Sequence, residues 1–400
     1  MHVVYGGAQL FKSTTPGRVG EVALKALETY FPSPKELGEC LEIEATSEEV
    51  YARIVAKLRT EPVEDYRIDF EDGYGYRPDA EEDRHAASAA RELAAGMGRD
   101  KFPPYVGLRI KPFTDALYRR SFRTLGIFLD QLLDATGGRL PANFVVTLPK
   151  ITSAEQVAIL GGLLTDFEAR SGLGLNTIRI EVMMETVQSV ADVPGIVAAG
   201  GFRCRGAHFG AYDYTADCNI AAQYQDIGHP ACDFARNLMQ VHLSGRGIWL
   251  ADSVTTMLPI VIHKGTDLSP EQVAENDESM RRGWRRHFGD VRRSLANGFY
   301  QSWDIHPAQL VSRYAAVYSF FLEAREAALK RLRNFMDKAT QATTAGSEFD
   351  DAASAQGLLN FFLRGLNCGA LTEQEVLEAG LTADELRTRS FAAMMAGRVL

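Results

Sequence analysis

The sequence has few cysteines and no long hydrophobic run, and each absence excludes a class of protein. The five cysteines lie far apart without a Cys-x-x-Cys pair, so we expect neither a disulfide framework nor a zinc site. No uncharged apolar stretch approaches the ~18 residues that a membrane-spanning helix needs. The opening segment, MHVVYGGAQLFK, lacks the basic and apolar regions of a secretory signal. These absences together favour a reducing, cytoplasmic location.

An excess of positive charge is also missing. The 400 residues include 43 Lys and Arg against 52 Asp and Glu, which gives a formal net charge of -9. Non-specific nucleic-acid binding depends on a positive field that releases counterions, so we expect no nucleic-acid partner. We likewise expect no membrane partner. Hydrophobic residues make up 46% of the chain and charged residues 24%, as in a globular protein large enough for a barrel with an appendage.

Short β-rich runs alternate with longer helical patterns over residues 1–336. The runs are residues 2–6, 66–70, 105–110, 143–149, 177–184, 203–210, 247–254 and 298–305. Two of the helices that follow have clear start signals, Ser153 as an N-cap and Ser269 followed by Pro270. Eight strands alternating with eight helices predict a (β/α)8 TIM barrel, which is an α/β fold. A doubly wound open sheet is the competing arrangement.

A change in composition near the C-terminus predicts a second domain. Residues 337–351, DKATQATTAGSEFDD, are small and polar, as in a linker. The segment that follows is rich in Leu, Ala and Glu, which favours helices. We therefore expect a TIM-barrel catalytic domain over residues 1–336 and a small helical C-terminal lid domain over residues 352–400.

Acidic side chains follow several of the predicted strands. In a TIM barrel, catalytic groups lie just past the carboxyl ends of the strands. The second run leads into Asp69, Glu71 and Asp72, and such like charges are tolerated when a cation joins them or when one is protonated. A simple Asp-Gly turn is the alternative, but it explains only Asp72. The cluster therefore indicates a functional site at this strand end.

Glu185 and Asp213 follow two neighbouring strands, with no Cys or clustered His nearby. Oxygen ligands alone suit a hard cation, and Mg²⁺ takes one or two carboxylates while leaving positions for water and substrate. The alternatives are a helix-dipole role for Glu185 and an N-cap role for Asp213. Two carboxylates on adjacent strand ends favour a metal site.

Two basic residues complete the predicted site. Arg109 lies inside the apolar strand VGLRI and needs a buried partner. It either forms a structural ion pair with the Asp69 cluster or binds a carboxylate or enolate oxygen of a substrate, and the two roles are compatible. Lys150 follows the fourth strand, where it either lines the site or simply precedes the N-cap Ser153.

Six segments, in order, resemble the superfamily of citrate lyase β-subunit-like proteins, malyl-CoA lyases, HpcH/HpaI-type aldolases and malate synthases. The segments are IDFEDGYG (68–75), GLRIKPF (107–113), TLPKITSAEQV (147–157), IEVMMETVQSV (180–190), FGAYDYTAD (209–217) and DIHPAQL (304–310). They lie at the predicted strand ends. In addition, FDDAASAQ near the C-terminus is similar to a segment of malate synthases that carries a catalytic aspartate, with Ser354 in place of the usual threonine.

The resemblance implies a TIM barrel that holds Mg²⁺, with Mn²⁺ as a substitute, on Glu185 and Asp213. It places Glu71 and Asp72 near the metal through bound waters and Arg109 on the substrate oxygen. Asp351 matches the catalytic aspartate, which makes it the expected general base. The citrate lyase-like members open with an Arg-Ser pair and a Val-Pro-Gly turn that helps hold coenzyme A. Here only Pro-Gly-Arg at residues 16–18 is similar, which argues against a CoA thioester substrate.

The residues and the resemblance together predict a Mg²⁺-dependent carbon–carbon lyase or aldolase. Its partner is a small oxo or hydroxy acid, which we expect to contact Arg109, Asp69 and Lys150. A Claisen-type acyl-CoA lyase or synthase, or a thioesterase, is the first alternative, with a CoA thioester as partner. A non-catalytic barrel that binds a metal and a ligand is the second. The resemblance also implies a homo-oligomer.

Overall fold

Eight parallel strands form a closed barrel. The computed structural model describes residues 2–337, 343–345, 348–350, 352–378 and 380–389. The barrel strands are β1 (Val3–Gly7), β2 (Asp65–Asp69), β3 (Tyr105–Arg109), β4 (Phe144–Leu148), β5 (Arg179–Met184), β6 (Cys204–Phe209), β7 (Trp249–Val254) and β8 (Gln301–Asp304). Each strand pairs with the next, and β8 pairs with β1 to close the ring. The (β/α)8 prediction is confirmed, and the alternative prediction of an open sheet is wrong.

Each predicted β-rich run overlaps the barrel strand that the structure shows. The runs are recognisable because parallel strands are covered on both faces and therefore read as nearly continuous apolar segments. All five residues of β4, FVVTL, are buried. Inside the barrel, Val3, Tyr5, Met183, Val254 and Trp303 form a hydrophobic cluster.

Helices follow the barrel strands along the chain. The helices are α1 (Thr15–Tyr30), α2 (Pro34–Leu41), α3 (Ser47–Thr60), α4 (Asp79–Gly96), α5 (Tyr118–Thr136), α6 (Ala154–Arg170), α7 (Val187–Ala191), α8 (Val193–Gly200), α9 (Ala211–Asp217), α10 (Pro230–Leu243), α11 (Pro270–Ala296), α12 (Gln309–Asp337), α13 (Ala352–Asn367), α14 (Glu373–Glu378) and α15 (Ala383–Arg387). Both predicted starts are confirmed: Ser153 forms a capping box at α6, and Ser269 precedes Pro270 at α11. No described helix is both long enough and apolar enough to span a bilayer.

The chain divides into two compact units. The first, Met1–Tyr30 with Leu58–Arg313, contains the barrel, and the second comprises Phe31–Lys57 and Tyr314–Leu400. In the second unit, an ion-pair cluster joins Arg53 and Arg325 to Glu49 and Glu375. Two short strands, β9 (Thr343–Ala345) and β10 (Glu348–Asp350), pair antiparallel within the segment predicted as a linker. The proposed domain division at residues 337–351 stays a prediction.

Candidate active site

A buried ion pair joins the ends of β2 and β3. Asp69 is the last residue of β2 and is in register with Arg109, the last residue of β3. Arg109 donates from Nε to Asp69 Oδ1 at 2.8 Å and from Nη2 to Oδ2 at 2.5 Å. Burial alone would lower the pKa of the Arg109 guanidinium, but Asp69 and then Glu71 raise it well above its usual value. The guanidinium is therefore charged, and two parallel hydrogen bonds fix its plane.

The loop after β2 folds back over the Asp69 carboxylate. Asp69 Oδ1 accepts the backbone N–H of Glu71 at 2.9 Å, and Oδ2 accepts that of Gly73 at 2.8 Å. A Cβ at Gly73 would lie 2.5 Å from Asp69 Oδ2, so the close approach requires glycine. Both Asp69 oxygens are thus bonded within the protein. The contacts make Asp69 a support for Arg109 and the loop, and its predicted contact with substrate stays a prediction.

Glu71 and Asp72 share one ammonium group. Glu71 Oε2 lies 3.0 Å from Arg109 Nη1 and accepts the backbone N–H of Asp72 at 2.9 Å. Lys150 Nζ lies 2.5 Å from Glu71 Oε1 and 2.9 Å from Asp72 Oδ2. Burial raises the pKa of Glu71 above its usual value, although Arg109 and Lys150 act to lower it. The buried Glu71 carboxyl therefore depends on both cations for its charge.

Lys150 also connects the acidic loop, the loop after β2 that carries Glu71 and Asp72, to Glu185 and Asp213. Its backbone N–H donates to Glu185 Oε1 at 2.7 Å, and its Nζ lies 3.5 Å from Asp213 Oδ1. Glu185 directly follows β5 and is buried, whereas Asp213 lies in the first turn of α9 and is partly exposed. Burial raises the pKa of Glu185 to about 8, with Asp213 and Glu71 adding to the effect against the opposing charge of Lys150. Four carboxylates therefore surround one lysine.

Close packing holds the Glu185 side chain in this position. A Cβ at Gly210, the residue after β6, would lie 2.4 Å from Glu185 Oε2 and 2.5 Å from Glu185 Cβ. The backbone N–H of Glu185 donates to Ser189 Oγ at 3.2 Å. The carboxylate thus rests on a surface that only a glycine can provide.

The side chains of Glu185 and Asp213 suit a hard divalent cation. They offer only oxygen atoms, and Mg²⁺ uses one or two protein carboxylates while water or substrate completes its shell. Among the described residues, no group of three or more His, Cys, Asp or Glu is placed to hold a metal ion. A cation held by Glu185 and Asp213 would keep positions for water or a ligand. The metal role of both residues stays a prediction.

A second polar layer lies inside the barrel, nearer the amino ends of the strands. Glu181 accepts hydrogen bonds from Arg67 Nη2 at 2.8 Å and Thr147 Oγ1 at 2.7 Å, and it lies 2.9 Å from His208 Nε2. Burial alone would raise the pKa of Glu181, but Arg67 and His208 hold it well below its usual value. The barrel centre is therefore a charged, fully buried network.

Tyr5 links this network to Arg109. The Arg109 guanidinium lies 4.9 Å from the centre of the Tyr5 ring, and that ring stacks on Trp303 at 4.8 Å. The Tyr5 hydroxyl lies 3.1 Å from His208 Nδ1. A guanidinium over an aromatic face is held by the ring quadrupole, so Tyr5 supports the side of Arg109 that Asp69 does not bind.

The chain matches one protein family along nearly its whole length. The family described as "Domain of unknown function (DUF6986)" matches residues 1–394. The chain belongs to the DUF6986 family. No curated protein matches the sequence.

Several solved structures share the fold of this DUF6986 chain. A citrate lyase from Burkholderia xenovorans LB400 is 20% identical, covering 83% of this chain and 92% of its own, with a TM-score of 0.58. Protein CitE from Mycobacterium tuberculosis, in complex with magnesium, acetoacetate and coenzyme A, is 15% identical, covering 91% and 97%, with a TM-score of 0.51. Haloferax volcanii malate synthase, in a magnesium/glyoxylate complex, is 14% identical, covering 98% and 97%, with a TM-score of 0.52. The predicted resemblance to citrate lyase-like proteins and malate synthases is confirmed at the level of the fold.

The structure of the DUF6986 chain brings seven of the eight predicted site residues into one connected cluster. They are Asp69, Glu71, Asp72, Arg109, Lys150, Glu185 and Asp213. Asp351, the expected general base, lies outside the described residues. The individual roles of all eight stay predictions.

Sequence reasoning missed the buried layer and gave His208 no role. Arg67, Glu181 and His208 lie within β2, β5 and β6, and their buried side chains meet inside the barrel. Side chains alternate along a strand, so the sequence could have shown which of these residues face the barrel interior. A charged residue at such a position needs a buried partner of opposite charge.

Proposed function

We propose that this DUF6986 protein is a Mg²⁺-dependent carbon–carbon lyase or aldolase that acts on a small oxo or hydroxy acid. One observation carries the proposal: a fixed guanidinium, Arg109, lies in the same cluster as Glu185 and Asp213 at the carboxyl ends of the strands. TIM-barrel enzymes have their active sites at this end. The shared fold with citrate lyase-like proteins and malate synthases supports the same class of reaction.

The charges in the site favour a cation as a condition for acid binding. Five carboxylates, those of Asp69, Glu71, Asp72, Glu185 and Asp213, face two cations, Arg109 and Lys150. An anionic substrate would meet net negative charge unless Glu185 and Asp213 held a divalent cation. When bound, Mg²⁺ would act as a Lewis acid toward the carboxylate and carbonyl oxygens of the substrate.

Arg109 would stabilise the charge that develops when the carbon–carbon bond breaks. Cleavage leaves an electron pair that is delocalised onto an oxygen as an enolate, and a charged donor in a dry site stabilises that oxygen. Asp69 and Tyr5 hold the guanidinium in place before the reaction, so little reorganisation is needed. Glu71 and Asp72 would orient water beside the cation. Asp351 is the proposed general base that takes the hydroxyl proton in cleavage and returns it in condensation.

A Claisen-type reaction of an acyl-CoA, or hydrolysis of its thioester, is the second candidate. The CitE structure, which contains coenzyme A as well as acetoacetate, favours it. A carbanion beside a thioester carbonyl also becomes an enolate, so the same Arg109 position would serve. The Pro-Gly-Arg segment at the start of α1 does not identify the residues that would hold coenzyme A.

Calorimetry with pyruvate and with glyoxylate tests the proposal. We expect either acid to bind the full-length protein in Mg²⁺ and to lose binding in EDTA, because the negative site would then repel it. Glu185→Gln should weaken binding in Mg²⁺ at least about tenfold, since it removes a charged ligand of the cation. Glu39→Gln, at an exposed position in α2, is the matched control and should bind like the wild type.

Further titrations separate the alternatives. Acid binding that EDTA and Glu185→Gln leave unchanged would contradict the metal site. Saturable acetyl-CoA binding without binding of either acid would favour the Claisen-type reaction. For an acid that turns over, Asp351→Asn should lower kcat by about 100-fold or more and leave Mg²⁺ affinity unchanged, as expected of a general base. Normal metal and acid binding with no turnover would favour the non-catalytic barrel.

A further inference from the structure

Lys150 adopts an unusual backbone conformation at the centre of the site. Its φ angle is 49°, in the left-handed region that non-glycine residues seldom occupy. The turn lets the backbone N–H donate to Glu185 Oε1 at 2.7 Å while the side chain reaches the loop after β2. One residue therefore contacts two separate parts of the carboxylate cluster.

The Lys150 ammonium occupies the space between these carboxylates. Nζ lies 2.5 Å from Glu71 Oε1, 2.9 Å from Asp72 Oδ2 and 3.5 Å from Asp213 Oδ1. Arg109, the other cation of the cluster, is held by Asp69 and Glu71 instead. Lys150 is thus the cation that balances Asp213, one of the two proposed metal ligands.

We infer that the Lys150 ammonium is an internal counter-ion that competes with the divalent cation for the Asp213 carboxylate and is displaced when the cation binds. The inference rests on the proposed metal site at Glu185 and Asp213. The Lys150 ammonium and a divalent cation would share the Asp213 carboxylate, and two cations at contact distance of one carboxylate repel each other strongly. The Lys150 side chain is 29% exposed, so rotamer changes can carry the ammonium toward solvent without moving the backbone.

Displacement has two consequences for the protein. Without the cation, Lys150 keeps the carboxylates from repelling one another, which stabilises the metal-free fold. With the cation bound, the released ammonium stands at the edge of the site and can pair with the carboxylate of an incoming acid. Lys150 thus becomes available to substrate only after the metal has bound, and this makes binding ordered.

Mn²⁺ titration of neutral variants at position 150 tests the inference without any activity assay. Lys150→Met keeps the aliphatic stem, and Lys150→Asn suits the left-handed backbone, so at least one should fold. Both should bind Mn²⁺ at least about tenfold more tightly than the wild type, because a competing charge is removed. In EDTA both should melt at a lower temperature than the wild type, and saturating Mn²⁺ should abolish that deficit.

Two charge controls accompany these variants. Lys150→Arg keeps the cation in place and should retain wild-type Mn²⁺ affinity. Lys12→Met removes the same charge from an exposed position and should also leave the affinity unchanged. If Lys12→Met tightened Mn²⁺ binding as much as Lys150→Met, the effect would come from net charge alone and the inference would fail.

The outcomes distinguish this inference from the proposed function. If the wild type binds Mn²⁺ and the neutral variants bind it equally or more weakly, Lys150 is not a competitor, while the metal site stands. If neither the wild type nor any variant binds Mn²⁺, the metal site is refuted and the inference with it. Tighter binding in each neutral variant that folds, together with its loss of metal-free stability, supports the inference.

Discussion

At the scale of single residues, the site depends on contacts that leave no room for a methyl group. Gly73 lies against Asp69, and Gly210 lies against Glu185. The Asp69 carboxylate is thereby fixed under the acidic loop, and the Glu185 carboxylate is fixed against β6. Neither glycine has a reactive side chain, but each determines where a carboxylate oxygen lies.

Gly210→Ala should therefore displace Glu185 and weaken metal binding without unfolding the protein. The added Cβ would meet Glu185 Oε2 at 2.4 Å and Glu185 Cβ at 2.5 Å, so the side chain and the backbone that carries it must move. We expect the Mn²⁺ dissociation constant to rise at least about tenfold, because a ligand is misplaced. Mn²⁺ titration measures this effect, with thermal melting as the check on folding.

Gly161→Ala is the matched control for this prediction. Gly161 lies within α6, and no heavy atom lies within 4 Å of the position that its Cβ would take. The change should leave Mn²⁺ affinity unchanged and stabilise the helix by about 0.5–1 kcal/mol. Wild-type Mn²⁺ affinity in Gly210→Ala would show that the contact does not position Glu185.

At the scale of elements, Lys111 holds the loop between β2 and α4. Its Nζ donates to the backbone carbonyl of Phe70 at 2.6 Å and lies 3.2 Å from Glu82 Oε2 on α4. It also lies 5.0 Å from the centre of the Tyr74 ring. Lys111 is buried, so these are its partners in place of water. Lys111, which follows the end of β3, thus fixes the acidic loop in place.

Lys111→Met should destabilise the protein by about 3 kcal/mol, because it leaves the buried Glu82 carboxylate with one cation fewer. Urea unfolding measures the change. The double variant Lys111→Met/Glu82→Gln should recover part of the loss, since the uncompensated charge is then gone. If the double variant were as unstable as the sum of both single variants, the Lys111–Glu82 pair would not be the source.

At the scale of the whole molecule, buried ion pairs are spread through the barrel unit. Besides the Arg109–Asp69 pair, its interior contains the pairs Arg67–Glu181, Arg203–Glu168, Arg236–Asp252 and Arg313–Asp304. Burial alone would raise the pKa of Asp304, but Arg313 and His287 hold it well below its usual value. A carboxyl whose pKa is lowered in the fold adds stability above its unfolded pKa of about 4. That stability is lost as the pH falls toward the folded pKa.

Asp304→Asn should accordingly destabilise the protein most at neutral pH. We expect a loss of about 3 kcal/mol at pH 7, because Arg313 is left without its buried partner. The difference from the wild type should begin to shrink below about pH 4, where the unfolded Asp304 carboxyl takes up a proton while the folded ion pair is still charged. Urea unfolding from pH 3 to pH 7 measures it. Asp384→Asn, at an exposed position, should follow the wild type throughout, and a pH-independent loss in Asp304→Asn would contradict the assignment.

The sequence by itself determined the barrel and most of the residues at its mouth. Strand positions follow from apolar runs, and Asp69, Arg109, Glu185 and Asp213 were found because they stand at or near the ends of those runs. Both signals are local, since they depend on neighbours within about ten residues. These local signals predicted which side chains lie at one end of the barrel. They did not show which of those side chains form ion pairs with one another.

Only the tertiary structure decided the pairing. Lys150 lies 79 residues from Glu71 along the chain, and nothing in its local sequence distinguishes a site residue from one that precedes a helix cap. Closure of the barrel brings the ends of β2, β4, β5 and β6 together, and the left-handed turn at Lys150 then directs its charge among their carboxylates. The buried network of Glu181 and His208 was decided in the same way. Its partners lie on different strands, and a charge is stable there only after the fold has supplied its counterpart.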